Sequence, residues 1–380
     1  MNFKYPALVM GLSTLVLAGC GSSGNTLPPA ELEDFTAEVE LERDWRRNVG
    51  SGQGRGFNRL QPSLDGITLY AADASGRVVA VDRDDGSVQW QARVDEPLTG
   101  AVGSGSGVVM LGTREGEVIV LDSNDGSEAW RAQMTSEVLA PPQTNGDVVV
   151  VQTQDDKVTA LDITTGEQRW IYEASQSVLS VRGHAAPVAT LRQVFAGMSG
   201  GRVVALEASS GLLQWDQRIA QPQGRSELER MVDIDGDLLL SGQNVYAASF
   251  QGNLAAIDGN SGELRWQRSA SSHNGPAAGF GQVYLSRADG TVEAFDQNSG
   301  ASAWSNDSLA RRQLTAPTTF SSYVAVADFE GYVHLLAQTD GRLVARTRVD
   351  RKGVRAAPIA VGDRLFVYGN SGNLVALRIE

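Results

Sequence analysis

The sequence predicts an all-β protein: an eight-bladed β-propeller of four-stranded blades, whose ring is closed by an N-terminal strand that joins the C-terminal blade. Three observations lead to this prediction. A frame of about 40 residues that ends in tryptophan recurs along the chain. Each complete copy carries a glycine hairpin between an apolar run and a second strand. The last copy stops before its tryptophan, and one further tryptophan lies near the N terminus.

The tryptophans of the repeat occupy the same position in every frame in which they occur. They are Trp90, Trp130, Trp170, Trp215, Trp266 and Trp304. A large aromatic ring that recurs at one strand position is typical of packing between structural units. We therefore expect these residues to dock each blade against its neighbour. Weaker copies of the frame begin at Gly331 and Gly372, which brings the number of frames to eight.

Each frame supplies the signals for four strands. In the clearest copy, residues 78–81 are apolar and β-branched, which indicates a buried strand. The Asp85-Gly86 pair that follows predicts a hairpin, since glycine readily adopts the positive φ of such turns. A second strand then runs to Trp90, and another apolar run, residues 67–71, precedes the frame. In several copies a proline, such as Pro187, marks the start of the first strand. Four strands form one propeller blade.

The two ends of the chain complete the ring in this interpretation. The eighth frame stops at Glu380, before its hairpin and its tryptophan. Residues 39–49 alternate apolar and polar side chains around Trp45, as expected of a half-exposed strand. We expect this segment to be the missing last strand of blade eight. Closure of the ring removes the open sheet edges that favour aggregation.

The N terminus carries a secretion signal. Lys4 precedes an apolar run at residues 7–18, which ends in Leu17-Ala-Gly-Cys20. This motif resembles the lipobox of bacterial lipoproteins, and the resemblance implies cleavage before Cys20 and acylation of that cysteine. The alternative is a plain signal peptide with an incidental cysteine. The prediction is thus a lipoprotein signal peptide at residues 1–19, a lipidated flexible tether at residues 20–36 and the propeller at residues 37–380. Because Gly21 and Ser22 are not the aspartate of an inner-membrane retention signal, the inner leaflet of the outer membrane is favoured.

Charge and composition exclude some classes of partner and chemistry. The net charge is −13, which makes a nucleic-acid partner an unfavourable interpretation. His184, His273 and His334 lie in different blades without metal-ligand spacing. The repeated aspartates, such as Asp82, are expected to stabilise turns. The sequence therefore predicts no catalytic residues, no cofactor and no metal. The tryptophan repeat also resembles quinoprotein dehydrogenases, so an oxidoreductase that uses pyrroloquinoline quinone and calcium is the alternative.

The repeat expands at two adjacent places, and these are the candidate functional segments. The tryptophan spacing grows to 45 residues before Trp215 and to 51 residues before Trp266. The first expansion places Leu179 and Val181 beside Arg182, a combination typical of protein contacts. A structural alternative stays open for each expansion. For the first, residues 178–181 form the inner strand of the next blade. For the second, residues 226–235 form a solvated helical turn in which Glu227 pairs with Arg230.

Together, the lipobox, the acidic tether, the tryptophan-docked blades and these two segments resemble the BamB family of outer-membrane lipoproteins. The resemblance covers essentially the whole chain. It implies a non-enzymatic adaptor of the barrel assembly complex that binds the periplasmic POTRA domains of BamA. Contacts of the family fall on Leu179, Val181, Arg182, Asp233 and Asp235, although the family more often has leucine at position 181. Whether the two aspartates bind the partner or hold the loop is left open.

Two further functional hypotheses accompany this resemblance. An envelope propeller that binds glycan or some other protein is a third candidate beside the adaptor and the oxidoreductase. Exposed blade edges also suggest a hypothesis of direct contact with unfolded outer-membrane proteins, which would pair with these edges by β-augmentation.

Overall fold

The computed structural model describes residues 27–54, 58–174, 183, 185–226 and 228–380. Within these residues, 32 strands form eight four-stranded antiparallel sheets. Each sheet is one blade, and its strands follow one another in chain order except in blade eight. The predicted all-β, eight-bladed architecture is confirmed.

The strands are numbered along the chain and grouped by blade. Blade one contains β2 (Ser63–Asp65), β3 (Thr68–Ala72), β4 (Arg77–Asp82) and β5 (Val88–Arg93); blade two contains β6 (Leu98–Gly105), β7 (Val108–Thr113), β8 (Glu117–Asp122) and β9 (Glu128–Gln133). Blade three contains β10 (Gln143–Thr144), β11 (Val148–Thr153), β12 (Lys157–Asp162) and β13 (Gln168–Glu173); blade four contains β14 (Val188–Ala189), β15 (Gln193–Met198), β16 (Arg202–Glu207) and β17 (Leu213–Arg218). Blade five contains β18 (Leu239–Ser241), β19 (Asn244–Ala248), β20 (Asn253–Asp258) and β21 (Leu264–Ser269); blade six contains β22 (Ala277–Gly279), β23 (Gln282–Ser286), β24 (Val292–Asp296) and β25 (Ser302–Asn306). Blade seven contains β26 (Thr318–Phe320), β27 (Tyr323–Ala327), β28 (Tyr332–Ala337) and β29 (Leu343–Arg348); blade eight contains β30 (Ile359–Val361), β31 (Arg364–Tyr368), β32 (Asn373–Ile379) and β1 (Leu41–Asn48).

The core lies between the faces of adjacent sheets. The second and third strands of each blade are the most buried, because sheets cover them on both sides. In β4, residues 78–81 are all buried, as their β-branched character predicts. The first strands of successive blades contact one another around the centre of the ring, as β22, β26 and β30 do. Pro187, Pro276, Pro317 and Pro358 each stand one residue before such a first strand, where no ladder hydrogen bond is lost.

The repeat tryptophans dock each blade onto the next, as predicted. The indole N–H of Trp90 donates to the carbonyl of Ser123 in blade two at 2.8 Å. The same bond joins Trp130 to Ile163 and Trp170 to Ala208. The glycine of the next hairpin lies against the ring, and a Cβ on Gly126 would stand 2.6 Å from Cε3 of Trp90. Glycine is therefore needed at this position for close approach as well as for its φ of +74°.

Strand β1 closes the ring, which confirms the prediction for the N-terminal segment. It pairs antiparallel with β32, and Leu41 stands opposite Ile379. Trp45 occupies the docking position of blade eight and donates its indole N–H to the carbonyl of Arg83 in blade one, at 3.0 Å. Both ends of the chain thus contribute to one sheet, and the ring closes without a covalent crosslink.

Blade seven has Ala345 where the other blades carry tryptophan, and the chain that precedes β1 packs here. Ala345 is buried in a cluster with Val344, and Val39 and Leu41 pack against it. Residues 28–38, called the N-terminal strap below, run along blade seven. The amide of Glu38 donates to the carbonyl of Val344 at 2.9 Å. The described part of the predicted tether therefore lies on the propeller.

The two faces of the ring carry different loops. The turn between the second and third strands of each blade lies on the same face as the connections between blades, because the strands of a blade alternate in direction. This face is called the connection face. The hairpins between the first and second strands, and between the third and fourth, lie on the opposite face. The described residues of both expanded segments belong to the connection face; they are residues 174, 183 and 185–187 of the first, and residues 219–226 and 228–238 of the second.

Candidate partner-binding site

The structure describes part of the predicted site. Leu179, Val181 and Arg182 lie outside the described residues, as does the predicted lipidation site Cys20. Asp233 and Asp235 are described, in the connection between blades four and five. The inner strand of blade four is β14, which begins at Val188. Residues 178–181, for which an inner strand is the structural alternative, lie outside the described residues.

The second expanded segment begins with a single turn held by reciprocal hydrogen bonds. The Oε2 atom of Glu229 accepts the backbone N–H groups of Arg225 at 2.7 Å and of Ser226 at 3.2 Å, and the Oγ atom of Ser226 accepts the N–H of Glu229 at 3.2 Å. This is the pattern of a capping box. These bonds, that from Arg225 above all, lower the pKa of the Glu229 carboxyl. Leu228 is 65% exposed on the turn. Glu227, which the helical-turn alternative pairs with Arg230, lies outside the described residues.

Residues 232–236 then turn inward. Val232 and Ile234 are buried, and Ile234 belongs to the cluster between blades four and five. Its side chain covers the backbone of Gly197, where a Cβ would stand 2.5 Å from Cγ2 of Ile234. The segment is therefore clamped to the connection face by apolar packing.

Asp233 joins the turns of two neighbouring blades. Its Oδ1 atom accepts the backbone N–H of Gly200 in blade four at 2.8 Å. Its own carbonyl accepts the N–H of Phe250 in blade five at 3.0 Å. Only 4% of Asp233 is exposed. A buried carboxylate that accepts backbone N–H groups fixes the loop that carries it.

Asp235 lies two residues further along the chain and is buried like Asp233. Its Oδ2 atom lies 3.5 Å from Nδ1 of His273, and it is also 4% exposed. The His273 ring stacks on Phe250 with centroids 4.2 Å apart. A Cβ on Gly183, from the first expanded segment, would stand 3.7 Å from Oδ1 of Asp235. The carboxylate thus lies where the two expanded segments meet.

Asp237 is the residue that sequence reasoning missed. Its Oδ1 atom accepts the backbone N–H of Ala186 at 2.8 Å, which links the two expanded segments directly. Its Oδ2 atom lies 3.4 Å from Nε2 of Gln61. The regular spacing of Asp233, Asp235 and Asp237 is the signal that could have identified it, because alternate residues of an extended segment share one side.

The aspartates of the repeat have the structural role predicted for them. The Oδ1 atom of Asp82 accepts the N–H of Asp84 at 2.7 Å, and that of Asp122 accepts the N–H of Asn124 at 2.8 Å. The Arg169 guanidinium, together with two backbone N–H groups, lowers the pKa of Asp162 to about 2. These are the bonds of turn-stabilising residues.

Within the described ranges, no group of three or more His, Cys, Asp or Glu is arranged to hold a metal ion. The described residues also contain no helix long and apolar enough to cross a membrane.

The fold and the loops define a class of protein: a tryptophan-docked propeller whose two expanded connections meet on one face. Proteins of this architecture share the fold at low sequence identity. A europium-containing methanol dehydrogenase superimposes with a TM-score of 0.72 at 12% identity, over 89% of this chain and 93% of the other, which shows the fold alone. The structure of BamB from Moraxella catarrhalis superimposes with a TM-score of 0.81 at 30% identity, over 89% of this chain and 99% of that one.

The chain belongs to the BamB family. Its residues 36–100, 74–306 and 288–380 match the family described as "Outer membrane protein assembly factor BamB". It is 57% identical to the protein of that name from Pseudomonas aeruginosa, over 100% of both chains. It is 43% identical to that from Marinobacter adhaerens, over 98% of this chain and 96% of the relative. The predicted family resemblance is confirmed.

Proposed function

We propose that the chain is a non-enzymatic scaffold of the outer-membrane β-barrel assembly complex. In this proposal it binds the periplasmic POTRA domains of BamA and assists the folding and insertion of outer-membrane proteins. Cys20 carries the lipid that anchors it in the inner leaflet of the outer membrane, so that the propeller faces the periplasm. Full-length identity of 57% to an outer membrane protein assembly factor supports the role in assembly.

The observation that carries the binding site is the meeting of the two expanded segments. Ala186 donates to Asp237 across them at 2.8 Å, and Asp233 ties the second segment to blade four. Such a rigid base suits a loop that presents Leu179, Val181 and Arg182 to a partner, because a preorganised loop loses less conformational entropy on binding. The burial of Asp233 and Asp235 favours a positioning role for these two carboxylates. A direct contact of either one with the partner stays a prediction.

A pull-down with the soluble POTRA region of BamA tests the proposal. The bait is residues 20–380 with Cys20→Ser, which keeps every residue that the structure describes. Leu179→Ala/Arg182→Ala should abolish capture, because truncation of apolar and arginine contact residues commonly costs about 2 kcal/mol or more each. The matched control is Leu191→Ala/Arg192→Ala, an identical pair of changes in a hairpin of blade four on the opposite face, where Leu191 is 84% exposed.

The results separate the candidate functions. Loss of capture in the folded loop variant, with capture kept in the control, supports the adaptor and its site. Absence of capture by the unsubstituted bait contradicts the adaptor proposal. In that case the quinoprotein alternative is tested by the melting temperature, which pyrroloquinoline quinone and calcium should raise only if the propeller binds them.

A further inference from the structure

A cationic groove lies at the outer rim of the connection face, between blades seven and eight. It encloses about 580 Å³. Five basic side chains from β1, the end of β29 and the connection that follows it line the groove. They are Arg43, Arg46, Arg348, Arg351 and Lys352, and all five are exposed. The chain as a whole has a net charge of −13, so this is a local reversal of its charge.

Acidic side chains do not neutralise these cations. In the parts of the chain that the structure describes, none of the five has a carboxylate oxygen within 4.0 Å, although other surface arginines, such as Arg131, do. Two of the five donate hydrogen bonds to neutral acceptors. The Nε atom of Arg46 donates to Oδ1 of Asn373 at 3.0 Å, and that of Arg348 donates to the carbonyl of Glu330 at 2.9 Å. The Arg348 guanidinium also lies 5.1 Å from the ring centroid of Tyr332. These contacts orient the guanidinium groups and leave their charge available.

One acidic residue lines the groove, and its carboxylate is already engaged. Asp350 is buried beneath the cations. Its Oδ1 atom accepts the backbone N–H of Lys352 at 2.8 Å, and its Oδ2 atom accepts the N–H of Ser371 at 3.2 Å and the Ser371 hydroxyl. The carboxylate therefore holds the floor of the groove together, and the rim keeps an excess of positive charge.

The groove lies close to the point where the N-terminal strap begins. The Nε atom of Arg311, in the connection between blades six and seven, donates to the carbonyl of Pro28 at 2.6 Å. The amide of Ala30 donates to the carbonyl of Ala310 at 2.9 Å. This point is on the connection face, one connection away from the groove. Cys20 precedes Pro28 by eight residues, and a fully extended chain of that length spans at most about 28 Å. A lipid on Cys20 would therefore hold this part of the rim near a bilayer.

We infer that the cationic groove binds the phosphate groups of phospholipid headgroups and rests the rim of blades seven and eight on the membrane surface. Guanidinium groups suit phosphate because their paired N–H groups match its oxygens. Cations that come from separate elements and line an open groove can meet several headgroups at once. The connection between blades three and four, which carries Leu179 and Arg182, is diametrically opposite in a ring of eight. The propeller could therefore contact the membrane and a protein partner at the same time.

Vesicle co-sedimentation tests this inference. The protein is residues 20–380 with Cys20→Ser, so that no acyl chain contributes to binding. Vesicles of phosphatidylglycerol and phosphatidylethanolamine, at about three to seven, provide the anionic surface, and phosphatidylcholine vesicles provide a zwitterionic one. We expect binding to the anionic vesicles alone, and we expect it to weaken as the salt concentration rises from about 0.05 to 0.3 M. Arg46→Gln/Arg351→Gln should lower the partition coefficient about tenfold or more.

The matched control, Arg131→Gln/Arg169→Gln, removes the same charge from ion-paired arginines in blades two and three. It should bind vesicles like the unsubstituted protein. Arg43→Gln/Lys352→Gln repeats the test if the first groove variant has a lowered melting temperature. Equal loss in groove and control variants, or binding unchanged in both groove variants, would overturn the inference. So would calorimetric binding of inorganic phosphate without any vesicle binding, because the groove would then serve a soluble anion. POTRA capture is expected to be unchanged in the groove variants.

Discussion

Trp45 donates its indole N–H to the backbone carbonyl of Arg83 at 3.0 Å, and this bond joins the last blade of the ring to the first. The Arg47 side chain reinforces the junction with a bond to the carbonyl of Gly86 at 2.6 Å. The two residues of the first bond come from the N-terminal strand of blade eight and from a hairpin of blade one. Stability of the ring should therefore depend on a residue that stands outside the tryptophan repeat.

We expect Trp45→Ala to lower the free energy of unfolding by about 3 kcal/mol, the lower end of the range for tryptophan truncation, because Trp45 is only partly buried. Urea denaturation measures the change. Ile67→Ala, at a position that is 55% exposed, is the control and should alter the free energy by less than about 0.5 kcal/mol. A chain that starts at residue 52 loses the whole of β1, and its melting temperature should fall further. An unchanged melting temperature for that chain would contradict the closure of the ring by β1.

The hairpin glycines beneath the docking tryptophans allow a matched comparison. Gly126 has a φ of +74° and its Cβ would stand 2.6 Å from the Trp90 ring, whereas Gly281 has a φ of +72° and open space around it. Alanine at either position meets the left-handed backbone penalty of about 1–2 kcal/mol. Gly126→Ala should cost about 1–3 kcal/mol more, because the indole must move. Urea midpoints of the two variants measure the difference, and equal losses would show that the close contact with the ring is unimportant.

Substitution of Asp233 distinguishes a positioning carboxylate from one that binds the partner. Asp233→Asn keeps an oxygen acceptor for the N–H of Gly200, whereas Asp233→Ala leaves that buried group without it. If the side chain orders the loop, the alanine variant should lose about 1–3 kcal/mol of stability and much of its POTRA capture, and the asparagine variant should lose less of both. Denaturation and the pull-down are run on both variants. Equal loss of capture in the two variants, with the stability of the asparagine variant unchanged, would indicate direct recognition of the charge.

We expect a buried polar network in blade seven to make the stability of the protein depend on pH. Its members are His334, Asp328 and Arg312. The Nε2 atom of His334 donates to Oδ2 of Asp328 at 3.0 Å, and the Nε atom of Arg312 donates to the same oxygen at 2.8 Å. Burial raises the pKa of Asp328, but the bonds from His334 and Arg312 outweigh it, so the net pKa is lowered. Burial lowers the pKa of His334, against the opposing effect of Asp328.

The neutral form of His334 is therefore favoured in the folded state, and this sets the direction of the pH dependence. An unfolded histidine takes up a proton below about pH 6.5, whereas the folded one resists it. The contribution is present in full above pH 6.5 and is lost as the pH falls below it, by at most about 1.4 kcal/mol per pH unit. His334→Gln should remove this slope when unfolding free energies are compared between about pH 7.5 and pH 5. A slope that the substitution leaves unchanged would assign the pH dependence to other groups.

The sequence alone determined the propeller, its eight blades and the closure of its ring. These features follow from local signals that repeat. A hairpin glycine, an apolar β-branched run and a tryptophan recur in register, as in the frame from Gly76 to Trp90. Each unit folds by pairing strands that are adjacent in sequence, so its pattern can be read within about 40 residues. Trp45 could be assigned to blade eight because the eighth frame ends before its own tryptophan.

Only the tertiary structure decided how the interruptions of the repeat are placed. The bond from Ala186 to Asp237, the packing of the strap on blade seven and the assembly of Arg43 with Arg351 each join residues far apart in the chain. None of these contacts recurs from blade to blade, so the repeat in the sequence does not predict them. The sequence left open whether Asp233 and Asp235 contact a partner or hold the loop, and the structure shows that both are buried where two neighbouring blades close over their segment. Burial and charge clustering depend on which connections the closed ring brings side by side, and that neighbourhood exists only once the ring has formed.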